Sequence, residues 1–176
     1  ITSEGQQPPT WLTATLTDVT TGEKFTIADA DQPTVLHTFE TWCPKCQRQQ
    51  GTLDTLYQQR GDELQLVDLN IDSNFSPDEM RSYAANNGYG WRFGIASNEV
   101  MGSLTDDFGQ PVSLAPQAPV IVVCPDAPAY ELGKGVSAAE ISSAVEDVCR
   151  HVLPVSPSAT SSGRCPRERP SGSCHS

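Results

Sequence analysis

The sequence predicts an α/β sandwich whose central sheet is parallel in the middle and antiparallel at one edge. Strand-like apolar runs alternate along the chain with segments of helical periodicity. The run 119–124 (PVIVVC) is continuously apolar and β-branched, which is typical of a strand buried on both faces. The segment 76–79 (SPDE) supplies an N-cap serine, a proline at the first helical position and acidic residues in the first turn. A helix is therefore predicted to begin there.

The remaining elements follow from turn residues and periodicity. A hairpin is predicted over 11–27 because apolar and polar residues alternate on both sides of Thr21-Gly22. Gly61 and Gly109 are predicted to end two helices, and Ser137 to cap the last one. The predicted order is hairpin 11–27, strand 34–39, helix 43–60, strand 64–71, helix 76–87, weak strand 91–95, helix 98–108, strand 119–124, strand 129–133 and a final helix from 137.

Length and composition narrow the class of protein. The chain has 176 residues, which favours one domain with its own core. Asp and Glu number 22 against 11 Lys and Arg, for a net charge of −11. This balance argues against a nucleic-acid-binding protein or a basic membrane-surface helix. No apolar run approaches the roughly 20 residues that span a bilayer, so the chain itself is predicted not to cross a membrane.

The two ends differ in composition from the body. Residues 1–9 are polar and proline-bearing, and we expect a disordered lead. Residues 151–176 are rich in Ser, Pro and Arg and are predicted to form a disordered tail, which leaves 10–150 as the folded domain. The first residues lack the basic and apolar regions of a signal peptide, and the chain starts at Ile1. We therefore expect that an upstream segment has been removed.

The motif with the clearest chemistry is Trp42-Cys43-Pro44-Lys45-Cys46, which follows a predicted buried strand and opens a predicted helix. The unpaired N–H groups at a helix start favour a thiolate on Cys43, and Lys45 adds a positive charge. The prediction is that Cys43 is a solvent-reachable nucleophile and Cys46 the resolving thiol. Half of a zinc site is a weaker interpretation because no second C-x-x-C pair exists. A purely structural disulfide is also disfavoured at this junction.

The segment 39–46 (FETWCPKC) resembles the active site of the thioredoxin superfamily. With the hairpin ahead of the strand, the chain is most similar to the TlpA-like and ResA-like group over about residues 8–150. The resemblance implies a thioredoxin-like three-layer sandwich with a central mixed sheet and an N-terminal hairpin extension. It implies an enzyme, a thiol–disulfide oxidoreductase that exchanges disulfides with client proteins and has an upstream redox partner. It implies no cofactor.

The resemblance also assigns supporting residues. A cis-proline that packs against the disulfide corresponds to Pro119, with Pro116 as the competing position, and it leaves the backbone of Ala118 free to pair with an extended client. The buried Asp of many thioredoxins is replaced by His37, for which we hold two interpretations: a satisfied core histidine, or a proton relay.

The residues between and before the two cysteines carry two further predictions. The dipeptide between the cysteines is Pro44-Lys45 rather than Gly-Pro, so we expect a reduction potential different from that of thioredoxin. Trp42 is predicted to cover the thiols as an apolar lid.

The other cysteines bear on the compartment. Cys124 and Cys149 are predicted to lie at the ends of a strand and a helix that pack together, where they are either bridged or two buried thiols. Cys165 and Cys174 lie in the tail and are left unassigned. The extra cysteines and the lack of a natural start favour export, with membrane anchoring through a missing N-terminal segment as one form of it. A cytoplasmic location is the alternative.

Two other functions on a similar fold are weighed. Peroxiredoxins resemble P-x-x-x-T-x-x-C, but Leu36 and Glu40 occupy the Pro and Thr positions here. Sco-like copper chaperones look like C-P-x-x-x-C with a distant His, whereas this spacing is two and the downstream histidines are His151 and His175. A thiol peroxidase and a copper-binding module therefore remain alternatives of lower rank.

Overall fold

A five-stranded mixed sheet organises the computed structural model, which describes residues 7–125 and 129–149. The predicted tail, with Cys165 and Cys174, and residues 1–6 of the predicted lead lie outside the described residues. The elements are α1 (Thr10–Thr13), β1 (Leu16–Thr17), β2 (Lys24–Phe25), β3 (Thr34–Phe39), α2 (Pro44–Arg60), β4 (Gln65–Asn70), α3 (Pro77–Asn87), β5 (Arg92–Ile95), α4 (Asn98–Phe108), two 3-10 turns (Gln110–Ser113 and Ala115–Gln117), β6 (Val120–Val123), β7 (Tyr130–Gly133) and α5 (Ala138–Cys149).

The strand order is β5-β4-β3-β6-β7. β3, β4 and β5 are parallel, while β6 runs antiparallel to β3 and β7 antiparallel to β6. The predicted antiparallel edge is confirmed, and it consists of β6 and β7. The predicted burial of the 119–124 run is confirmed, because all four residues of β6 are buried.

Helices cover both faces of the sheet and complete three layers. One apolar cluster joins α2, α3 and α5 to the sheet, with Leu53, Met80 and Ile141 among its buried residues. A second cluster joins α1 and α4 to the opposite face, around Trp11 and Leu104. This α/β/α arrangement confirms the predicted fold class.

The predicted hairpin is only partly correct. β1 and β2 pair antiparallel as a separate two-stranded sheet, and the turn lies at the predicted place, with Gly22 at φ 81°. Residues 10–13, however, form a helical turn instead of a strand. The reason is tertiary: the Trp11 indole donates to Asp107 Oδ2 at 2.7 Å and its ring packs on Phe108, both on α4.

Local capping chemistry explains the helix ends. Ser76 and Glu79 form a reciprocal capping box at the start of α3. Ser97 caps α4, whose end at Phe108 is followed by Gly109 with φ 88°. These bounds agree with the predicted ones because the signals lie within a few residues of each helix end.

A disulfide between Cys124 and Cys149 ties the end of β6 to the last residue of α5, with a Cα–Cα distance of 5.4 Å. Both residues are buried. Of the two interpretations of this pair, the structure shows the bridged one. Within the described part of the chain, no helix combines the length and apolar character needed to traverse a bilayer.

Candidate active site

Two free thiols mark the start of α2. Cys43 is the N-cap of the helix, and its Sγ accepts a hydrogen bond from the backbone N–H of Cys46 at 3.1 Å. Pro44 follows in the first turn, where a missing N–H costs nothing. Cys43 therefore lies at a helix N-terminus with a backbone N–H donor aimed at its sulfur.

The burial of the two thiols departs from the prediction. Cys43 is 0% exposed and Cys46 is 1% exposed, so the expectation of a solvent-reachable Cys43 is wrong for this conformation. The Cys46 thiol donates to the carbonyl oxygen of Ala115 at 3.2 Å. Ala115 opens the second 3-10 turn and belongs to the same apolar cluster as both cysteines. The segment ahead of β6 therefore packs onto the thiols.

The surroundings of Cys46 hold it in the thiol form. Burial, reinforced by the hydrogen bond with Cys43, raises the pKa of Cys46 to about 12. A thiol of this kind needs a proton acceptor before it can act as a nucleophile near neutral pH.

A buried His–Asp pair lies beside the thiols on the sheet. His37 on β3 and Asp68 on β4 are direct partners in the parallel register, and His37 Nδ1 lies 2.6 Å from Asp68 Oδ1. Both side chains are almost fully buried. With Nδ1–H donating to the carboxylate, a neutral His37 keeps its Nε2 lone pair, and that atom has no hydrogen-bond partner among the described residues.

The carboxylate of Asp68 is the centre of a larger polar network that the sequence analysis missed. Its Oδ2 accepts from Trp91 Nε1 at 3.0 Å and from Gln50 Nε2 at 3.3 Å. The Tyr83 hydroxyl in turn donates to Gln50 Oε1 at 2.6 Å, and burial raises the pKa of Tyr83. Together with His37, the Trp91 and Gln50 side chains give the Asp68 carboxylate three donors, which satisfy a group that has no access to solvent. The available signal was an Asp in the middle of the apolar run 64–71.

The residues beside the cysteines take exposed positions. Trp42 is 61% exposed and its indole donates to Glu40 Oε1 at 2.8 Å. The indole is thus largely exposed to solvent and held by a neighbouring carboxylate, and its role as an apolar lid over the thiols stays a prediction. Lys45 is also exposed.

The predicted cis-proline is wrong as well. The structure has no cis peptide bond among its described residues, so the Ala118–Pro119 bond is trans. Ala118 adopts an extended conformation (φ −65°, ψ 132°), which a following trans-proline favours. Its N–H donates to Ala115 O at 3.2 Å, so that donor is not free to pair with a client as expected. Pro116 lies within the second 3-10 turn.

A cavity of about 410 Å³ opens next to Cys46, and we call it the thiol-side cavity. His37 lines it, which brings this predicted residue next to Cys46. Its lining residues are His37, Lys45, Cys46, Arg48, Gln49, Thr52, Ala115, Pro116, Ala118, Lys134 and Gly135. Among the residues that the structure describes, no three His, Cys, Asp or Glu side chains are grouped as metal ligands.

Known structures share this arrangement of sheet and helices. A thioredoxin-like protein from Porphyromonas gingivalis matches with a TM-score of 0.61 at 19% identity, covering 85% of this chain and 97% of that one. The fold is thioredoxin-like. StoA from Bacillus subtilis matches with a TM-score of 0.57 at 18% identity, over 73% of this chain and 92% of the other.

A third similar structure is described as a secreted disulfide oxidoreductase of Mycobacterium tuberculosis, homologous to Escherichia coli DsbE. It matches this thioredoxin-like chain with a TM-score of 0.60 at 17% identity, over 77% of this chain and 96% of that one. No protein-family model and no curated protein sequence matches the chain.

Proposed function

We propose that this protein is a thiol–disulfide oxidoreductase that exchanges disulfides with client proteins through Cys43 and Cys46. The observation that carries the proposal is a pair of free thiols one helical turn apart at the start of α2, with the first as N-cap and hydrogen-bonded to the backbone of the second. One similar thioredoxin-like structure is described as a secreted disulfide oxidoreductase, which supports the same chemistry.

The reaction consists of two exchange steps. The Cys43 thiolate attacks one sulfur of a client disulfide, and the other client sulfur leaves as a thiolate that takes up a proton. The Cys46 thiolate then attacks Cys43 Sγ and releases the second client sulfur. The client gains two electrons and two protons, and the protein becomes a Cys43–Cys46 disulfide. An upstream thiol partner restores the reduced pair, and the same steps run in reverse oxidise a client.

The His37–Asp68 pair supplies the proton acceptor for the second step. Its Nε2 lone pair lies on a residue that lines the same cavity as Cys46. Asp68 fixes the tautomer and stabilises the imidazolium that forms when Nε2 accepts the Cys46 proton. Of the two interpretations of His37, we therefore favour the relay.

Cys43 is fully buried, so a client reaches it only after its surroundings move. We propose that the second 3-10 turn is the part that moves, because its hydrogen bond from the Cys46 thiol to Ala115 O is lost when Cys46 gives up its proton or enters a disulfide. The exposed Trp42 lies next to Cys43 in the chain and offers an aromatic contact for a client. Pro44 and Lys45 separate the thiols and contribute to the reduction potential of the pair.

The disulfide between Cys124 and Cys149 is consistent with an extracytoplasmic location. The buried Cys124–Cys149 disulfide belongs to an oxidising compartment, and one similar structure is described as secreted. Export, with or without an anchoring segment, is therefore the location we propose. Folding the chain in a reducing and in an oxidising cytoplasm tests it: a protein that folds and functions equally well without the disulfide removes this support.

Two serine variants test the exchange mechanism. Cys43→Ser removes the attacking sulfur and abolishes exchange with a disulfide-bonded client peptide. Cys46→Ser keeps the attack but lacks the resolving thiol, so a mixed disulfide accumulates and is seen by intact-mass measurement. Exchange that survives Cys43→Ser at the wild-type rate would sink the proposal.

A further inference from the structure

Three basic side chains line the thiol-side cavity without an acidic partner. Lys45 and Arg48 lie on α2, and Lys134 lies at the end of β7. Within residues 7–125 and 129–149, none of the three makes a hydrogen bond or an ion pair. The lining of the cavity contains no Asp or Glu.

This arrangement contrasts with the rest of the described surface. Every other described lysine or arginine has a polar or acidic partner: Lys24, Arg60, Arg81 and Arg92. The chain carries 22 acidic residues against 11 basic ones, so acidic partners are in excess. Three cations that converge on one cavity and repel one another are therefore a local feature and not the result of a shortage of carboxylates.

The structure holds these charges around the cavity from two distant parts of the chain. Gln49 on α2 is 5% exposed, and its Oε1 accepts the Gly135 N–H at 2.8 Å. Its Nε2 donates to Val136 O at 2.9 Å. The side-chain amide thereby fastens the segment after β7 to α2, which places Lys134 on the same cavity as Lys45 and Arg48. The fold thus places three exposed basic side chains around one cavity.

We propose that the thiol-side cavity binds carboxylates of the substrate, so that the protein prefers disulfides flanked by acidic groups. The inference rests on the proposed exchange at Cys43 and Cys46 and names the substrate class of that site. A carboxylate in the cavity pairs with cations that lack partners among the described residues, and it lies beside Cys46, which lines the same cavity. Its source is either an acidic stretch of a client polypeptide or a small disulfide that carries carboxylates.

The peptide arm of the test uses two disulfide-bonded peptides of equal length, one with Glu and one with Gln beside each cysteine. Reduced wild-type protein should react with the Glu peptide about tenfold faster at low ionic strength. The preference should shrink in high salt, since the screening length falls from about 10 Å at 0.1 M to about 3 Å at 1 M. The double variant Arg48→Gln/Lys134→Gln should bring the ratio of the two rates close to one.

The matched control is Lys24→Gln, which removes an exposed positive charge from the distant β2 and should leave both rates unchanged. A second arm compares glutathione disulfide, which is anionic, with the uncharged hydroxyethyl disulfide. A charge preference in one arm supports the inference and identifies the source of the carboxylates. Equal rates in both arms, or a preference that the double variant retains, overturn the inference alone. No reaction with any disulfide overturns the proposed function itself.

Discussion

Replacing His37 by glutamine separates a proton relay from a structural histidine. The glutamine amide retains a donor for Asp68 but has no basic nitrogen. With a pKa of about 12, Cys46 exists as thiolate to a fraction of about 10⁻⁵ at pH 7, compared with about 10⁻² at its ordinary value of 9.0. The raised pKa therefore lowers the thiolate fraction of Cys46 about a thousandfold. A general base typically raises the rate of such a reaction by a factor of about 10²–10⁴. We expect His37→Gln to slow resolution by Cys46 at least about a hundredfold at pH 7.

Ellman's reagent resolves the two steps of this reaction. Attack by Cys43 releases the first chromophoric thiolate in a step that depends on reagent concentration, and resolution by Cys46 releases the second in a unimolecular step. In the variant, only the second step should slow, and its rate should rise about tenfold per pH unit through the alkaline range, since the thiolate fraction does so below the pKa of Cys46. Tyr83→Phe is the control because it removes the hydroxyl bound to Gln50 but leaves the His37–Asp68 pair intact. A second step with wild-type rate and pH profile in the variant would refute the relay.

Other expectations follow from the sulfur chemistry and burial. The double variant Cys124→Ala/Cys149→Ala removes a disulfide that joins residues 25 positions apart. It should lower the free energy of unfolding by about 3–4 kcal/mol and the melting temperature by roughly 10 °C. A change in melting temperature of less than about 2 °C would contradict this expectation. The pKa of Cys46 is higher in the folded protein, so the reduced form should lose stability as pH rises from about 9 to about 12, and Cys46→Ser should show a smaller loss in alkaline denaturation. Because Cys43 is fully buried, iodoacetamide should alkylate the native protein more slowly than the protein in denaturant, and equal rates would contradict the burial of Cys43 in solution.

Most helix bounds could be predicted because they depend on residues that are close together in the sequence. The capping box at Ser76 and Glu79 and the glycine after α4 depend on neighbouring backbone groups, so their helices have the predicted bounds. The alternation around Trp11 predicted a strand, but the contacts of this indole with α4, more than 90 residues away, favour a helical turn. Local pattern was outweighed there by a distant partner.

The candidate site was predictable only in part, for a related reason. The spacing of Cys43 and Cys46 already placed both thiols at a helix start, as observed. The partnership of His37 with Asp68 depends on strand register, which the sequence does not state. The hydrogen bond from Cys46 to Ala115 depends on the path of the 3-10 segment from α4 to β6. These features arise from contacts between elements far apart in the chain.

The bridge at the end of β6 and the reactive pair at the start of α2 stand in opposite oxidation states within one molecule. Both pairs are buried to a similar extent, so burial alone does not decide which pair exchanges. Under the proposed exchange, the reactive pair is distinguished by its place at a helix N-terminus, whereas Cys149 is the last residue of α5, where the helix dipole disfavours a thiolate. The bridge therefore keeps α5 attached to the sheet while the other pair exchanges.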